Sequence, residues 1–228
     1  MSRSYRKYNT NKMIRSYIKY RHRRKGPFRI HSPFVFEFVT KALKRAHNDD
    51  FDKLYSIYRT IDRHRFCPRS KRHKARLVYK TTAYFEPDNI IIIGETSAMN
   101  VAALSMSCPK AQLHTTAWRE AYDELESMGI NNMRLVKQDS ISKLMDDEDR
   151  ESILILMSDP LADEHLITLT QNDDIVIVDN IHQSHDYEQG WDELKNNPKV
   201  SFSFDLYHIG VLFFKQGFEK QDFILKYR

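Results

Sequence analysis

Two acidic residues and an asparagine follow two apolar runs of the sequence, and their side-chain oxygens are of the kind that binds divalent cations. Asp159 comes shortly after the run 153–157, while Asp179 and Asn180 come directly after the run 175–178. If both runs are parallel strands, these side chains converge at the edge where the strands end. Three oxygen ligands with water suit Mg²⁺, so we predict a magnesium site at Asp159, Asp179 and Asn180. The alternative is that Asp179 caps the next helix and Asn180 is a turn residue.

Two histidines near the same edge are candidates for proton transfer. His182 and His185 follow Asn180 closely, and imidazole titrates near neutral pH. We predict that they act as general bases on an acceptor hydroxyl, with Asp179 as a further catalytic candidate. The alternative is that both histidines are solvated or hydrogen-bonded without a catalytic role.

The stretch 88–100 predicts the turn around which such a site is built. Four consecutive isoleucines, residues 90–93, are apolar on both faces, which is typical of a central strand in a parallel sheet covered by helices. The run stops at Gly94, and the next three residues supply a cap for a helix that begins at Ala98. In an α/β sheet, a nucleotide-like ligand usually binds at such a junction.

The composition predicts one α/β domain with an N-terminal extension. The chain has 228 residues, of which 41% are apolar, enough for one sizeable core. Its two cysteines, Cys67 and Cys108, have no partner at metal or redox spacing, which favours a reducing, cytoplasmic setting. The sequence has no apolar run long enough for a membrane span and no apolar signal-peptide core.

The charge is distributed very unevenly. Residues 1–80 contain 24 Lys and Arg against 5 Asp and Glu, whereas the remaining 148 residues contain 12 against 26. Residues 1–80 are therefore predicted to contact a polyanion such as RNA. The alternative is that this basic segment lies against the acidic remainder of the chain and neutralises it.

The first thirty residues combine basic and aromatic side chains. They contain eleven Lys and Arg and no acid, interleaved with tyrosines. Basic groups reach phosphates and aromatic rings stack on bases, so a nucleic-acid-binding arm is one interpretation. Because Met13, Ile14, Tyr17 and Ile18 recur at helical spacing, a helix on an anionic membrane or docked on the domain is another. A mitochondrial transit peptide has a similar composition, although the tyrosines argue against it.

Three helices are predicted between this arm and the isoleucine run. In the first, Ser32 caps a helix that begins at Pro33. Its buried stripe is predicted to comprise Val35, Phe38, Val39, Ala42 and Leu43. The second covers residues 51–63, and the third passes through Leu77 and Tyr84; the basic segment 65–74 between them is predicted to be a loop. We therefore divide the chain into an arm (1–30), a helical extension (31–87) and an α/β domain (88–228).

Beyond Pro87, strand and helix patterns alternate, which predicts a mostly parallel sheet. The predicted strands are 90–93, 112–116, 133–137, 153–157 and 175–178. The predicted helices are 98–107, 119–128, 140–147, 161–170 and 185–196. Residues 200–207 and 209–215 then form an antiparallel hairpin, and residues 223–227 form an edge strand or a packed tail.

This order of elements is similar to that of class I S-adenosylmethionine (SAM)-dependent methyltransferases. The chain resembles a group of predicted methyltransferases from Bacteroidota, through the His-Ser-Pro-Phe-Val-Phe segment 31–36 and the segments 176–184 and 204–214. The resemblance covers roughly residues 27–228. It implies a Rossmann-like, mostly parallel seven-stranded sheet with an antiparallel last strand.

The resemblance also implies a SAM site, but several expected residues are replaced. The implied cofactor-binding residues are Gly94, Glu95, Thr96, Ala98, Trp118, Asp139 and Asp159. Ala98 stands where the turn usually has a second glycine, and Ala117 or Trp118 stands where an acid usually binds the ribose. Loss of that acceptor would weaken binding by about 1.5–3 kcal/mol. The trio Asp159, Asp179 and Asn180 is similar to the metal site of catechol-type O-methyltransferases, where the ion orients a hydroxyl.

Three hypotheses about function follow from these observations. The first is a SAM-dependent methyltransferase, with O-methyl transfer as the reaction and with weakened or lost activity. The second is a catalytically inactive protein of the same fold that binds RNA or a ribonucleoprotein through the basic front segment. The third combines both, as a methyltransferase whose acceptor is RNA.

Overall fold

The structure is a computed structural model that describes residues 9–26, 31–44, 48–61, 69–117, 120–161 and 165–227. Within these ranges it has nine helices and eight strands. The helices are α1 (Thr10–Arg23), α2 (Pro33–Glu37, continued by a π-helical turn, Phe38–Leu43), α3 (Asn48–Ile61), α4 (Arg69–Phe85), α5 (Ala98–Ser107), α6 (Glu120–Ser127), α7 (Gln138–Asp146), α8 (His165–Thr168) and α9 (His185–Asn196). The strands are β1 (Asn89–Ile93), β2 (Gln112–Thr115), β3 (Met133–Leu135), β4 (Ile153–Met157), β5 (Ile175–Asp179), β6 (Phe202–Asp205), β7 (Ile209–Phe213) and β8 (Gln221–Ile224).

The strands form one sheet in the order β3-β2-β1-β4-β5-β7-β6-β8. All neighbouring pairs are parallel except those that involve β7, which runs antiparallel to β5 and to β6. The predicted mostly parallel sheet with one antiparallel strand is confirmed. The predicted number of seven strands is wrong, because an eighth strand, β8, pairs in parallel with β6. Without β8, β6 would be the edge strand and its outer N–H and C=O groups would lack partners.

The isoleucine run is the central strand that the sequence predicts. β1 pairs in parallel with β2 on one side and with β4 on the other. Since side chains alternate along a strand, Ile90 and Ile92 enter the core on one face of the sheet, while Ile91 and Ile93 enter the core on the other. The ends of β1, β4 and β5 therefore lie along one edge, where the candidate site is expected.

The first helix of the extension follows its predicted apolar stripe. Val35, Phe38, Val39, Ala42 and Leu43 are all buried. Ser32 occupies the N-cap position and Pro33 is the first helical residue, as predicted, but the Ser32 side chain makes no capping hydrogen bond. Instead, the Ser32 carbonyl accepts from Phe36 N at 2.9 Å, and Pro33 at the first position has no N–H that needs a partner.

The basic segment before β1 is helical where the sequence predicts a loop. α4 begins at Arg69, so the predicted loop 65–74 is wrong from that residue onward, and residues 62–68 lie outside the described ranges. Lys and Arg are good helix formers, and the buried Ala75, Leu77 and Val78 hold the helix on the core. As a consequence, Lys74 projects from a packed helix.

The front helix docks on the domain, as one of the four interpretations of the arm predicts. Tyr207 donates a hydrogen bond from its hydroxyl to the Met13 carbonyl at 3.0 Å, and Tyr20 donates one to the Leu225 carbonyl at 2.5 Å. Lys25 forms a β-bridge with Leu225. Residues 1–8 and 27–30 of the predicted arm lie outside the described residues. No helix of the described ranges is long and apolar enough to span a membrane.

Candidate functional site

The turn after β1 is held in a form that only glycine fits well. Gly94 has φ +77°, and a Cβ at this position would lie 2.2 Å from Ser158 Oγ. Ser158 N donates to the Ile93 carbonyl at 2.9 Å, which ties the ends of β1 and β4 together. The predicted tight turn at Gly94 is confirmed, and the Ser158 side chain packs against it where a Cβ would otherwise lie.

Helix α5 begins directly after this turn. Ser97 Oγ accepts from Asn100 N at 3.2 Å and caps the helix, so that Ala98 is its first residue. Thr96 is buried, whereas Glu95 is exposed. The structure therefore brings the predicted residues Gly94, Glu95, Thr96 and Ala98 together in one loop, with the helix N-terminus behind them.

The end of β2 closes on itself where a ribose-binding acid is expected. Thr115 Oγ1 accepts from Ala117 N at 3.2 Å and donates to the Ala117 carbonyl at 3.0 Å. Trp118, a predicted cofactor residue, lies outside the described residues. Asp139 is exposed in the first turn of α7, beyond β3. Of the predicted cofactor residues after β2 and β3, only Asp139 therefore brings a carboxylate.

Asp159 forms the turn that follows β4. Its Oδ1 accepts from Leu161 N at 2.9 Å, and its Oδ2 accepts from Ser158 Oγ at 3.4 Å. The side chain is half-buried. Asp159 thus borders the same edge as Gly94, since Ser158 contacts both turns.

A lysine that the sequence does not single out lies between the other two predicted metal ligands. Lys74 Nζ is 2.9 Å from Asp179 Oδ1 and 2.9 Å from Asn180 Oδ1. Burial raises the pKa of Asp179 above its ordinary value, and the Lys74 ammonium and hydrogen bonds from Asn180 and Asn100 oppose that rise. No sequence signal distinguishes Lys74 from its basic neighbours, because the contact depends on how α4 packs.

The three oxygen residues do not fit a magnesium ion as they are arranged. Lys74 brings a positive charge into contact with Asp179 and Asn180, and the amide of Asn180 donates to the Ser158 carbonyl at 3.0 Å. Across the described ranges, no three His, Cys, Asp or Glu side chains group closely enough to hold a metal ion. The Mg²⁺ prediction therefore remains one from sequence alone.

The two predicted histidines have different surroundings. His182 Nδ1 is 2.9 Å from Glu188 Oε1 and His182 Nε2 is 2.8 Å from Asp205 Oδ2, while the ring stacks on Tyr207. Burial lowers the pKa of His182, but the hydrogen bonds that the ring donates to the two carboxylates outweigh burial and raise that pKa to about 9. A charged ring with both nitrogens engaged is poorly suited to accept a proton. His185, by contrast, is exposed at the start of α9.

A cavity of about 170 Å³ is lined by residues of α1 and by His182 and its partners Glu188 and Asp205. Lys19 and Arg23 of α1 line one side of it, and Asp192, Asp205 and Asp222 line the other. Two of these acids have partners other than α1, since Asp192 pairs with Lys195 and Asp205 pairs with His182. The neutralisation alternative therefore stays a prediction. The outer face of α1, with Arg15 and Arg21, remains exposed.

Solved structures of methyltransferases share this fold. The SAH-bound methyltransferase PaMTH1 of Podospora anserina is 13% identical, with a TM-score of 0.53 over 82% of this chain and 97% of its own. The O-methyltransferase TomG of Streptomyces achromogenes, in complex with SAM, is 14% identical, with a TM-score of 0.51 over 79% of this chain and 96% of its own. A methyltransferase from Geobacter sulfurreducens is 11% identical, with a TM-score of 0.51 over 82% and 98% of the two chains. No family model and no curated protein sequence matches the chain.

Identities this low establish the fold and nothing finer. The chain has the Rossmann-like α/β fold of class I methyltransferases, with eight strands in the sheet of the described residues and with helices ahead of that sheet. The predicted kinship with the Bacteroidota group stays a prediction.

Proposed function

We propose that this protein is a SAM-dependent methyltransferase that transfers a methyl group to an oxygen atom of its acceptor. The observation that carries the proposal is the tight turn at Gly94, which leads from the end of β1 to the N-terminus of α5 at the edge of the parallel sheet. In open α/β sheets, ligands bind in the crevice outside the carboxyl ends of the strands, where this turn lies. PaMTH1 with SAH and TomG with SAM, which share the fold, add support.

The residues of the edge can be assigned parts in this reaction. Gly94, Thr96 and Ala98 would form the backbone wall of the cofactor site, and the carboxylates of Glu95 and Asp159 would attract its positive charge. When bound, SAM supplies the methyl group, and S-adenosylhomocysteine leaves as the acceptor oxygen takes that methyl. His185, exposed at the start of α9, is the better placed of the two histidines to take the hydroxyl proton.

The cofactor site also predicts weak binding. Ala117 offers no side-chain acceptor where an acid would hold the ribose, and the Thr115 hydroxyl is engaged with the Ala117 backbone. Absence of a charged acceptor costs about 1.5–3 kcal/mol of affinity. Introduction of a carboxylate by Ala117→Asp should therefore lower the Kd for SAM and SAH. An energy of about 1.5–3 kcal/mol corresponds to a decrease of roughly ten- to hundredfold.

Calorimetric titration of the full chain with SAM and SAH tests the proposal. We expect the wild type to bind both and Gly94→Ala to lose most of the affinity. Gly217→Ala is the matched control, since Gly217 has φ +79° but nothing within 4 Å of an added Cβ. It reproduces the backbone strain without the clash. If titration of wild type with millimolar SAM and SAH gives no heat of binding, the proposed function is wrong.

A second candidate function is RNA binding by a catalytically inactive protein of this fold. The exposed basic side chains on the outer face of α1 and the excess of positive charge in residues 1–80 favour it. Fluorescence anisotropy with a labelled RNA at several salt concentrations tests it, on wild type and on Arg15→Gln/Arg21→Gln. Phosphate contacts predict affinity that falls steeply with salt and a shallower slope for the variant. A flat salt response in the wild type speaks against RNA.

A further inference from the structure

The ammonium of Lys74 lies where the sequence predicts a divalent cation. Its Nζ is 2.9 Å from Asp179 Oδ1, 3.0 Å from Asp179 Oδ2 and 2.9 Å from Asn180 Oδ1. The side chains of Lys74 and Asp179 are 17% and 5% exposed, so the pair is largely shielded from water. Two of the three predicted metal ligands therefore already surround a positive charge that the chain itself supplies.

The acceptor capacity of Asp179 is fully used in this arrangement. A carboxylate offers about four lone-pair sites. Oδ1 receives Lys74 and the Asn180 backbone N–H at 2.7 Å, and Oδ2 receives Lys74 and Asn100 Nδ2 at 3.3 Å. Asn100 in turn donates to Thr96 Oγ1 at 3.0 Å, in the cofactor loop. A metal ion could ligate Asp179 only after Lys74 had withdrawn.

The third predicted ligand does not share in the arrangement. Asp159 directs Oδ1 to Leu161 N and Oδ2 to Ser158 Oγ, and its carboxylate makes no described contact with Lys74. A divalent ion placed between Asp179 and Asn180 would also stand within a few ångströms of the ammonium, where two positive charges in a shielded site repel strongly. Both the geometry and the charge therefore oppose the presence of a divalent ion and the Lys74 ammonium at Asp179 and Asn180 at the same time.

We propose that Lys74 is the built-in cation of this edge, taking the place of a divalent metal, and that it orients the acceptor oxygen. The second part rests on the proposed function. An ammonium has three N–H donors; Asp179 and Asn180 take at least two, which leaves at most one for an acceptor. A metal ion with open coordination positions can bind two neighbouring hydroxyls, whereas one N–H can bind one oxygen. The acceptor class that fits is therefore a compound with a single hydroxyl or carboxylate, and not a vicinal diol.

Binding of Mn²⁺, followed by electron paramagnetic resonance on the full chain, tests the first part without any acceptor. We expect wild type to leave Mn²⁺ free and Lys74→Ala to bind it at least about tenfold more tightly, since the variant uncovers carboxylate and amide oxygens. Adding Asp179→Asn to Lys74→Ala should abolish the gain. Lys74→Arg, which keeps the positive charge, should resemble wild type.

Lys80→Ala is the matched control. Lys80 lies on the same helix and donates to the Leu43 carbonyl at 2.6 Å, so its loss removes a cation from α4 away from the edge and should leave Mn²⁺ free. If Lys74→Ala does not fold, Lys74→Met keeps the apolar stem and removes only the charge. Should neither fold, wild type with Asp179→Asn and with Lys74→Arg decides: tight Mn²⁺ binding by wild type that Asp179→Asn removes overturns the proposal, and free Mn²⁺ in wild type and in Lys74→Arg is the result that the proposal requires.

Two outcomes would overturn the inference. Tight Mn²⁺ binding by wild type would show that Lys74 withdraws for a metal, and absence of Mn²⁺ binding by a folded Lys74→Ala would show that Asp179 and Asn180 do not form a cation site.

For the second part of the proposal, transfer of labelled methyl from SAM to single-hydroxyl and to vicinal-diol compounds is compared with and without EDTA. Activity abolished by EDTA or confined to the diols contradicts it. Failure of SAH to bind removes the proposed function instead and leaves the Mn²⁺ result standing.

Discussion

Protonation of His182 is expected to stabilise the fold in a defined pH window. Glu188 and Asp205 hold the ring from two sides and raise its pKa from the ordinary 6.5 to about 9. A group that binds its proton more tightly when folded contributes most below the unfolded pKa, and the contribution is lost as pH rises through the folded pKa. Stability from His182 is therefore full below about pH 6.5 and gone above about pH 9.

The size of this contribution follows from the same difference. At 1.36 kcal/mol for each tenfold change in proton affinity, it amounts to about 3 kcal/mol. Because the side chain is 18% exposed, solvent screening reduces it only modestly. Deprotonation of His182 should weaken the docking of α1 in particular, because Ser16 of α1 donates to the Glu188 carboxylate at 3.0 Å.

Urea unfolding of wild type and His182→Gln, followed by circular dichroism from pH 6 to pH 9.5, measures the effect. The free energy of unfolding of wild type should exceed that of the variant by about 3 kcal/mol more at the acid end than at the alkaline end. This comparison cancels other groups that titrate in the range, such as Lys80, whose pKa burial lowers to about 8. His22→Gln, at an exposed position of α1, is the control and should track wild type. A difference between wild type and His182→Gln that is constant with pH would refute the reasoning.

Two further predictions concern buried groups away from the site. Arg150 and Asp174 form a bidentate pair whose side chains are 2% and 1% exposed. Arg150→Met should lower the free energy of unfolding in urea by about 3–5 kcal/mol, because it leaves a buried carboxylate without its ion-pair partner. The double variant Arg150→Met/Asp174→Leu should recover part of that loss, and an Arg150→Met variant as stable as wild type would contradict the prediction. Burial raises the pKa of the Cys108 thiol to about 11, so in Cys67→Ser the remaining thiol should react with a disulfide reagent at pH 8 many times more slowly than after denaturation. Equal rates before and after denaturation would count against it.

The sequence alone determined the elements whose causes are local. Helices α5 and α9 have the predicted bounds, because Ser97 and Ser184 each cap a helical segment that follows directly. The central strand β1 and the turn at Gly94 follow from a run of β-branched isoleucines and from a single glycine, both visible in a short window of sequence. Thus the fold and the tight turn at Gly94 were predictable, and comparison with solved structures confirmed the fold.

The tertiary structure alone decided which charges meet. Lys74 contacts Asp179 across 105 positions of sequence, and Tyr20 reaches the Leu225 carbonyl across 205. The eighth strand and the pairing of His182 with Asp205 likewise join residues that are remote along the chain. Local propensity and periodicity carry no information about such pairs, because a helix of given sequence can pack in many rotations and offsets. Only the packed core fixes one of them, and with it the cation that faces Asp179.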